Sequence, residues 1–411
     1  MSNAGNKADA MQVFDVVIVG GGMVGATLGL ALARQGRRIA VIEAREPTPF
    51  DPAADYDLRV SAISRASQRI FEHLGAWPGM LARRASPYAH MHVWDATGNG
   101  EIHFDCAELG EPNLGHIIEN RVIQDALLER LRAEDNVSWL CPASLAALAV
   151  EADGARLTME DGCELRAPLV VGADGARSRV RELAGIDVAR QAYGQRGVVA
   201  TVATERPHAA TAWQRFLPTG PLAFLPLADG RCSIVWSADD ARAEALMAMD
   251  DARFARELGV AFGHRLGEIV SVSPRAAFPL AGSQAAAYVR PRIALVGDAA
   301  HTIHPLAGQG ANLGFLDAAT LADVLAGVPG DGRGDLGHHA LLRRYERTRR
   351  GDNVLSMRAM EGFKLLFGND LAPLAWLRNT GLALTNRAGP VKHELIRRAM
   401  GLSGERPSLA R

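Results

Sequence analysis

The sequence predicts an α/β fold in which a parallel sheet is assembled from segments that lie far apart in the chain. Three short apolar runs, typical of buried parallel strands, end in glycine-rich turns near residues 20, 172 and 297, and a helical pattern follows each turn. Between the second and third turns, alternating strand-like runs favour an additional sheet-rich region. We therefore expect two domains followed by a helical tail.

The first turn has the full sequence context of a dinucleotide-binding fingerprint. Val16–Val19 is typical of a strand, and Gly20, Gly22 and Gly25 follow it with the G-x-G-x-x-G spacing before a helical pattern. These glycines permit a tight turn and let a pyrophosphate approach the helix N-terminus. A second apolar run ends at Glu43, which is placed to accept a hydrogen bond from a ribose. This order favours a bound dinucleotide over an unliganded tight turn.

The third turn indicates a second place for an anion and a flat ligand. Asp298 follows an apolar run and is suited to accept hydrogen bonds from a polyol such as a ribityl chain. Gly308 and Gly310 let the backbone approach the ligand closely, and the helical pattern that starts near Asn312 points its N-terminus at the same loop. This motif suggests a flavin.

The second turn, around Asp174, lies at the carboxyl end of a predicted strand, where doubly wound sheets bind ligands. Arg177, Arg179 and Arg181 add positive charge beside it. Taken alone, an ordinary turn with a solvated basic face explains these residues equally well. In series with the other two turns, a contribution to the same dinucleotide site is the better explanation.

The order of the three motifs resembles that of the flavoprotein aromatic hydroxylases. Longer segments are similar to the ubiquinone-biosynthesis FAD-dependent hydroxylase family, most of all to its branch that hydroxylates ring C5 of a 2-polyprenylphenol. The segments are HPLAGQGANLGFLDAATL at 304–321, DLRVSAISRAS at 57–67 and LGHIIENRVIQDAL at 114–127. The resemblance implies a Rossmann-like FAD domain built from discontinuous segments with an inserted β-sheet-rich substrate domain.

We place the FAD domain at 13–85, 115–195 and 278–338, the substrate domain at 86–114 and 196–277, and a C-terminal helical region at 339–411. The resemblance implies that NADH or NADPH reduces the FAD, and that dioxygen then hydroxylates a prenylated phenol through a C4a-hydroperoxyflavin. It places the flavin-loop residues Pro305, Gly308, Gln309 and Gly310 at the reacting ring. Further expected FAD contacts are Arg59, Arg121, Gln124, Ala311 and Asn312.

The sequence singles out no general base. The aromatic residues of the predicted substrate domain either line a pocket or form ordinary core, and both alternatives stay open; they are Trp213, Phe216, Phe224 and Trp236. We expect no metal site, because the His301–His304 spacing lacks a third ligand nearby. The four dispersed cysteines favour reduced thiols.

Composition and charge limit the remaining possibilities. Of 411 residues, 48% are apolar and 22% charged, and no apolar run reaches the ~20 residues of a membrane span. Without a recognisable secretory signal, we expect a cytoplasmic protein with no nucleic-acid partner. Residues 340–411, however, hold 14 Lys/Arg against 6 Asp/Glu, and helical patterns lie at 354–367 and 371–384. These features favour either packing on the FAD domain or peripheral docking to the inner membrane or a ubiquinone-biosynthesis complex.

Two rival functions remain open at this point. One is a flavin hydroxylase or dehydrogenase for a small soluble substrate, which a polar, arginine-lined pocket would favour. The other is a flavin-containing scaffold that organises a biosynthetic complex.

Overall fold

The computed structural model describes residues 11–303, 310–329, 334–367 and 389–411. The strands are β1 Gln12–Val13, β2 Val16–Val19, β3 Ile39–Ile42, β4 Val60–Ser64, β5 Ala85–Tyr88, β6 His90–Asp95, β7 Glu101–Asp105, β8 Gly115–Glu119, β9 Val137–Leu140, β10 Leu145–Val150, β11 Ala155–Met159, β12 Glu164–Ala167, β13 Leu169–Gly172, β14 Val188–Thr204, β15 Thr211–Leu217, β16 Gly220–Pro226, β17 Cys232–Asp239, β18 Ile269–Val272, β19 Ala276–Ala285, β20 Val289–Arg290, β21 Ile293–Leu295 and β22 His301–Thr302. The helices are α1 Met23–Ala33, α2 Arg65–His73, α3 Trp77–Arg83, α4 Asn120–Leu131, α5 Arg179–Leu183, α6 Asp240–Ala248, α7 Asp251–Phe262, α8 Gly310–Ala326, α9 His339–Phe367 and α10 Gly389–Ala399.

The central sheet has the strand order β20–β21–β13–β2–β3–β9, and its strands run parallel except for the β20–β21 pair. Its inner strands are buried along their whole length because helices cover the sheet, and α1 packs against both α4 and α8. In this order β21, β13 and β2 are neighbours. The three glycine-rich turns therefore leave the same edge of the sheet side by side, although they are far apart in the chain.

The large sheet has the order β22–β19–β14–β17–β16–β15–β6–β7, with β18 also paired to β14. One face packs under α6 and α7, where Phe224 and Trp236 are fully buried. Their strand neighbours Ala223 and Val235 point to the opposite face, because successive side chains of a strand alternate. The domain boundaries expected at 196 and 277 fall inside β14 and β19, which pair with each other on both sides of those positions.

Two smaller sheets complete the framework. One has the order β1–β12–β11–β10, and the other, β4–β8–β5, contacts β16 of the large sheet and the helices α2, α4 and α8. Strand β5 thus pairs with β8 and not with the large sheet, although the boundary expected at 86 assigns most of it to the substrate domain.

The C-terminal region packs back onto both parts of the fold. Helix α9, which includes the helical pattern expected at 354–367, contacts α8 and β20. Helix α10 buries Ile396, with Met400 just beyond it, against Cys106 and Leu114. The helical pattern expected at 371–384 lies outside the described residues. None of the described helices combines the length and apolarity that a bilayer span requires.

Candidate functional site

A cavity of about 660 Å³ lies between the carboxyl edge of the central sheet and the free face of the large sheet. All three glycine-rich turns reach it, through Gly22, Gly175 and Asp298. The N-terminus of α8 contributes Gly310 and Ala311. The carboxyl ends of parallel strands are where open α/β sheets bind ligands, so this cavity is the candidate site.

In the first turn, each glycine of the fingerprint has a different steric reason. Gly20 has φ +105°, and a Cβ there would lie 2.4 Å from the carbonyl oxygen of Ala173. A Cβ on Gly25 would lie 1.9 Å from the carbonyl oxygen of Gly20, whereas one on Gly22 would have no atom within 4 Å. The first two positions are therefore required by packing. Gly22 faces open space at the N-terminus of α1, where a phosphate is favoured.

Glu43 and Gln124 hold the same turn from both sides. The Glu43 carboxylate accepts a hydrogen bond from the Gly21 amide at 2.7 Å, and Gln124 Nε2 donates to the Gly21 carbonyl at 3.2 Å. The carboxylate retains lone pairs for a ligand hydroxyl. The structure thus brings both predicted residues to the first turn, with Gln124 acting on its backbone.

The second turn is built around the carboxylate of Asp174. Its Oδ2 accepts hydrogen bonds from the amides of Arg179 and Val180 at 2.7 and 3.1 Å, which orders the start of α5. Its Oδ1 is buried and has no hydrogen-bond partner among the described residues. An ionised oxygen without a partner is costly, so Asp174 is suited to receive a hydroxyl donor from a bound ligand.

The arginines beside this turn have different environments. Arg181 is buried, and its guanidinium donates to the carbonyls of Ala299 and Ala176, both at 2.8 Å. It braces the second turn against the third and is not a free positive charge. Arg179 is exposed and pairs with Glu182 at 2.9 Å.

In the third turn, Asp298 opens into the cavity from a short 3-10 turn. Although the side chain is exposed towards the cavity, desolvation by the surrounding protein raises the pKa of this carboxyl, and the neighbouring His301 and Arg59 oppose the rise in part. Arg59 also lines the cavity and lies 5.9 Å from the ring of Phe278. Asp298 and Arg59 therefore form the polar end of an otherwise uncharged wall.

Arg121 is held by Glu119, which the sequence did not single out. Glu119 is 1% exposed, and its Oε1 lies 3.5 Å from Arg121 Nη2 and 2.7 Å from the amide nitrogen of Asp57. The Nε of Arg121 is buried and unpartnered among the described residues. The only sequence signal for Glu119 is a charged residue that closes the apolar strand β8.

Asn312 differs from the expectation of a direct ligand contact. Its side chain is buried, accepts a hydrogen bond from the Ser64 amide at 3.0 Å and donates to the Ala62 carbonyl at 2.8 Å. It thereby fixes the N-terminus of α8 to β4, because both of its polar atoms are occupied by backbone. Pro305, Gly308 and Gln309, with His304, lie outside the described residues.

The wall of the cavity opposite the three turns comes from the free face of the large sheet and from α10. Phe224 and Trp236 are not part of it, because they point towards α6 and α7, and Phe216 packs with Val93 and Ile102. Trp213 touches the cavity, but its ring stacks on His92 at 5.2 Å. Of the two alternatives left open, ordinary core therefore applies to Phe224 and Trp236, which strand alternation turns away from the cavity, and to Phe216, which packs with its neighbours at the end of β15.

Other residues supply an apolar wall that the sequence analysis did not identify. They are Tyr88, Met91, Phe104, Leu225, Val235, Leu395, Ile396 and Met400. Burial raises the pKa of Tyr88 to about 12, so its hydroxyl is a hydrogen-bond donor at neutral pH. Among the described residues that line the cavity, the charged ones are Arg59 and Asp298.

The cysteines and possible metal ligands add no further centre within the described residues. Cys106, Cys141, Cys163 and Cys232 are free thiols. No group of three or more His, Cys, Asp or Glu in the described part of the chain is arranged to hold a metal ion. His301 instead lies 2.6 Å from Asp317.

Three anion- and hydroxyl-binding turns at one edge of a parallel sheet, beside a largely apolar cavity, define a flavoprotein of the dinucleotide-binding class. The unpartnered Asp174 oxygen and the open space at Gly22 fit an FAD molecule. A family model described as an FAD binding domain matches residues 13–354.

Curated relatives narrow the class. The chain is 42% identical over 391 residues to the 3-demethoxyubiquinol 3-hydroxylase of Escherichia coli, covering 95% of this chain and 99% of that protein. It is also 42% identical to the ubiquinone hydroxylase UbiL of Rhodospirillum rubrum, covering 98% and 94%. The ubiquinone biosynthesis monooxygenase COQ6 of Homo sapiens is 35% identical, covering 95% and 93%. The chain belongs to this family of FAD-dependent ring hydroxylases.

Solved structures show the same fold at lower identity. PqsL, a probable FAD-dependent monooxygenase from Pseudomonas aeruginosa, superposes with a TM-score of 0.76 at 24% identity, covering 90% of this chain and 99% of that one. The p-nitrophenol 4-monooxygenase PnpA from Pseudomonas putida gives 0.75 at 21%, covering 96% and 100%.

Proposed function

We propose that this protein hydroxylates the aromatic ring of a polyprenylphenol intermediate in ubiquinone biosynthesis, using FAD, dioxygen and NADH or NADPH. The observation that carries the proposal is the cavity wall opposite the three turns. It is formed by aliphatic and aromatic side chains of the large sheet and α10, and its charged residues among those described are confined to Arg59 and Asp298. A polar, arginine-lined pocket would have favoured a small soluble substrate.

The chain's own residues have separable tasks in this proposal. Gly22 and the N-terminus of α1 receive the pyrophosphate, Glu43 a ribose, and Asp298 with Asp174 the hydroxyls of the cofactor. The apolar wall orients the prenylated ring and excludes water. The Tyr88 hydroxyl donates a hydrogen bond to the ligand in the cavity. When bound, the flavin supplies the electron transfer from the reduced nicotinamide and the activation of dioxygen.

Complementation tests this proposal directly. A ubiquinone-deficient bacterial host that lacks one ring hydroxylase, expressing this chain, should recover ubiquinone, measured by mass spectrometry. Separate hosts lacking the C5 hydroxylase and the 3-demethoxyubiquinol hydroxylase distinguish the ring position. Sequence identity does not, because the chain is 42% identical to each of two relatives. Failure in every such host, with FAD-loaded protein present in the cells, would contradict the proposal.

In vitro turnover separates the rival functions. NADH or NADPH oxidation by the purified protein should be stimulated more by a prenylated phenol than by the same phenol without its chain. Stimulation by the short phenol alone would support a soluble-substrate enzyme. Tightly bound FAD that neither reductant bleaches would support a scaffold.

We further propose that the protein docks peripherally on an anionic membrane next to α10. Leu395 lines the cavity and is also 42% exposed, and Arg397 and Arg398 beside it are exposed. An apolar residue at the cavity with cations around it suits a substrate that resides among anionic lipids. Part of the tail's apolar surface is already covered, because Ile396 and Met400 are buried.

A further inference from the structure

A buried polar cluster lies behind the third turn, outside the cavity. It consists of Asp317, His301, Arg349 and Asn353, each at most 2% exposed. The Oδ2 of Asp317 accepts hydrogen bonds from the Gly297 amide at 3.1 Å and from His301 Nε2 at 2.6 Å. Its Oδ1 accepts from Arg349 Nε at 2.8 Å and from Asn353 Nδ2 at 3.1 Å. The four lone pairs of the carboxylate are thus all engaged.

The Asp317 carboxylate joins segments that lie before and after residues 304–309 in the chain. Gly297 and His301 belong to the segment before residues 304–309, and Asp317 lies on α8, which follows them. Arg349 and Asn353 are on α9. One carboxylate therefore fixes the relative positions of the third turn, α8 and α9. Its contact in the turn is Gly297, the residue directly before Asp298.

Tight packing makes the third turn sensitive to this arrangement. Gly297 has φ +57°, and its ideal Cβ position lies 3.3 Å from Val24 of α1. A Cβ on Gly314 of α8 would lie 2.7 Å from Val24 and 3.3 Å from the Cα of Gly297. A shift of α8 relative to the turn would therefore displace the backbone that carries Asp298.

Stability alone does not account for these buried charges. Buried ion pairs are often no more stabilising than apolar side chains of similar volume, because each ion is removed from water. Burial by itself would raise the pKa of Asp317, but the charges of His301 and Arg349 bring it down to about 2. The carboxylate is thus ionised at neutral pH, with a hydrogen-bond donor at each of its four lone pairs.

We propose that Asp317, held by His301 and Arg349, is a positioning residue that sets the Gly297–Asp298 backbone and the N-terminus of α8 in the arrangement that binds FAD. None of its four members lines the cavity, so the cluster acts through the turn. The inference depends on FAD occupying this cavity and not on the identity of the ring substrate. Its test therefore uses FAD binding without any phenol, and the substrate proposal stands or falls separately.

The first test compares two Asp→Asn substitutions on the same helix. Asp317→Asn keeps the shape of the side chain and removes its charge. Asp323→Asn is the matched control, because Asp323 accepts a hydrogen bond from Ser408 and lies outside the cluster. The dissociation constant of FAD from the apoprotein, measured by flavin fluorescence, should rise about ten- to a hundredfold in Asp317→Asn. It should stay unchanged in Asp323→Asn. The visible circular dichroism of bound FAD should also change in Asp317→Asn alone.

Conservative variants keep the proposal testable if Asp317→Asn does not fold. Arg349→Lys and His301→Gln retain a donor and should bind FAD more tightly than Arg349→Met and His301→Leu. Thermal melting of each apoprotein separates positioning from stability. If Arg349→Met and His301→Leu melt at lower temperature but, while folded, bind FAD with the wild-type constant and an unchanged flavin spectrum, the proposal is overturned.

Discussion

Asp298 carries the negative charge among the described residues that line the cavity, and its environment opposes that charge. Desolvation by the protein around the cavity raises its pKa, while His301 and Arg59 offset part of the effect. A ligand that donates hydroxyl hydrogen bonds favours the ionised carboxylate and so lowers its pKa again. Cofactor binding and deprotonation of Asp298 should therefore be linked.

Asp298→Ala should lower the FAD content of the purified protein. Loss of hydrogen bonds to a charged acceptor corresponds to about 1.5–3 kcal/mol of binding free energy. Wild-type affinity should also fall as the pH is lowered through the raised pKa of Asp298, because the apoprotein takes up a proton there. Titration of Asp298→Asn with FAD at several pH values should show a weaker pH dependence. An unchanged affinity in the alanine variant would remove Asp298 from the site.

Gly22 and Gly25 offer a second contrast between binding and folding. Gly22→Val should leave the melting temperature of the apoprotein nearly unchanged, because a Cβ there meets no atom within 4 Å, yet it should block the pyrophosphate and weaken FAD binding. Gly25→Ala should instead destabilise the apoprotein, since its Cβ would lie 1.9 Å from the Gly20 carbonyl oxygen. Equal effects of both substitutions on melting would contradict this division.

Local spacing in the sequence was sufficient to place the three turns, because the glycines and acidic residues of each turn come directly after a strand in the chain. Asn312 shows where local information ends. Its sequence position at a helix start suggests a ligand contact, whereas its partners, Ser64 and Ala62, are brought to it only by the packing of α8 on β4. Glu119 was missed for the same reason, since its importance comes from Asp57 and Arg121 meeting at one carboxylate.

At the scale of elements, α10 completes the cavity. Ile396 and Met400 pack against Leu114, and Lys392 lies 2.6 Å from Glu108. The sequence analysis placed residues 389–399 only within a C-terminal helical region, and the partners of this helix lie near residues 88–114. A contact over that separation cannot be read from the helix alone.

Ile396→Ala should loosen α10 and admit water to the cavity. Truncation of a buried isoleucine costs about 2–5 kcal/mol of local packing, and water diverts reducing equivalents into hydrogen peroxide. The ratio of hydrogen peroxide formed to NADH or NADPH consumed should rise more than the rate of nicotinamide oxidation falls. Leu355→Ala on α9 is a suitable control, because Leu355 is 53% exposed. If Ile396→Ala forms no more hydrogen peroxide per nicotinamide consumed than the wild type, α10 does not help to keep water out of the cavity.

The limits of the large sheet could not be predicted from composition. β14 pairs with β19 from Val188 to Val199 and with β17 from Gln195 to Val202, and this pairing carries it across the boundary expected at residue 196. The strand ends are set by partners from distant segments. The sheet-rich character of the region, in contrast, follows from alternation within each strand.

At the scale of the whole molecule, charge separation governs the membrane proposal. The tail from 340 to 411 carries 14 Lys/Arg against 6 Asp/Glu, although the formal net charge of the chain is −1. Co-sedimentation with anionic vesicles should fall with added salt and with the double reversal of Arg397 and Arg398 to Glu, at about 1 kcal/mol for each cation near the surface. Reversal of the exposed Arg253 and Arg256 on α7 is the matched control. Equal recovery with neutral and anionic vesicles would contradict electrostatic docking.

The adjacency of β21 and β13 also has a consequence for the order in which the site can form during synthesis. Val170 pairs with Ile293, so the strand that delivers Asp298 leaves the ribosome long after β2 and β13 have emerged. At ordinary rates of translation the delay is on the order of ten seconds. During that time the nascent chain exposes the edge of β13 and holds only two of its three turns. We therefore expect FAD capture to be a late step of biogenesis, and chains interrupted before residue 293 should be released without flavin and with an open sheet edge that invites aggregation.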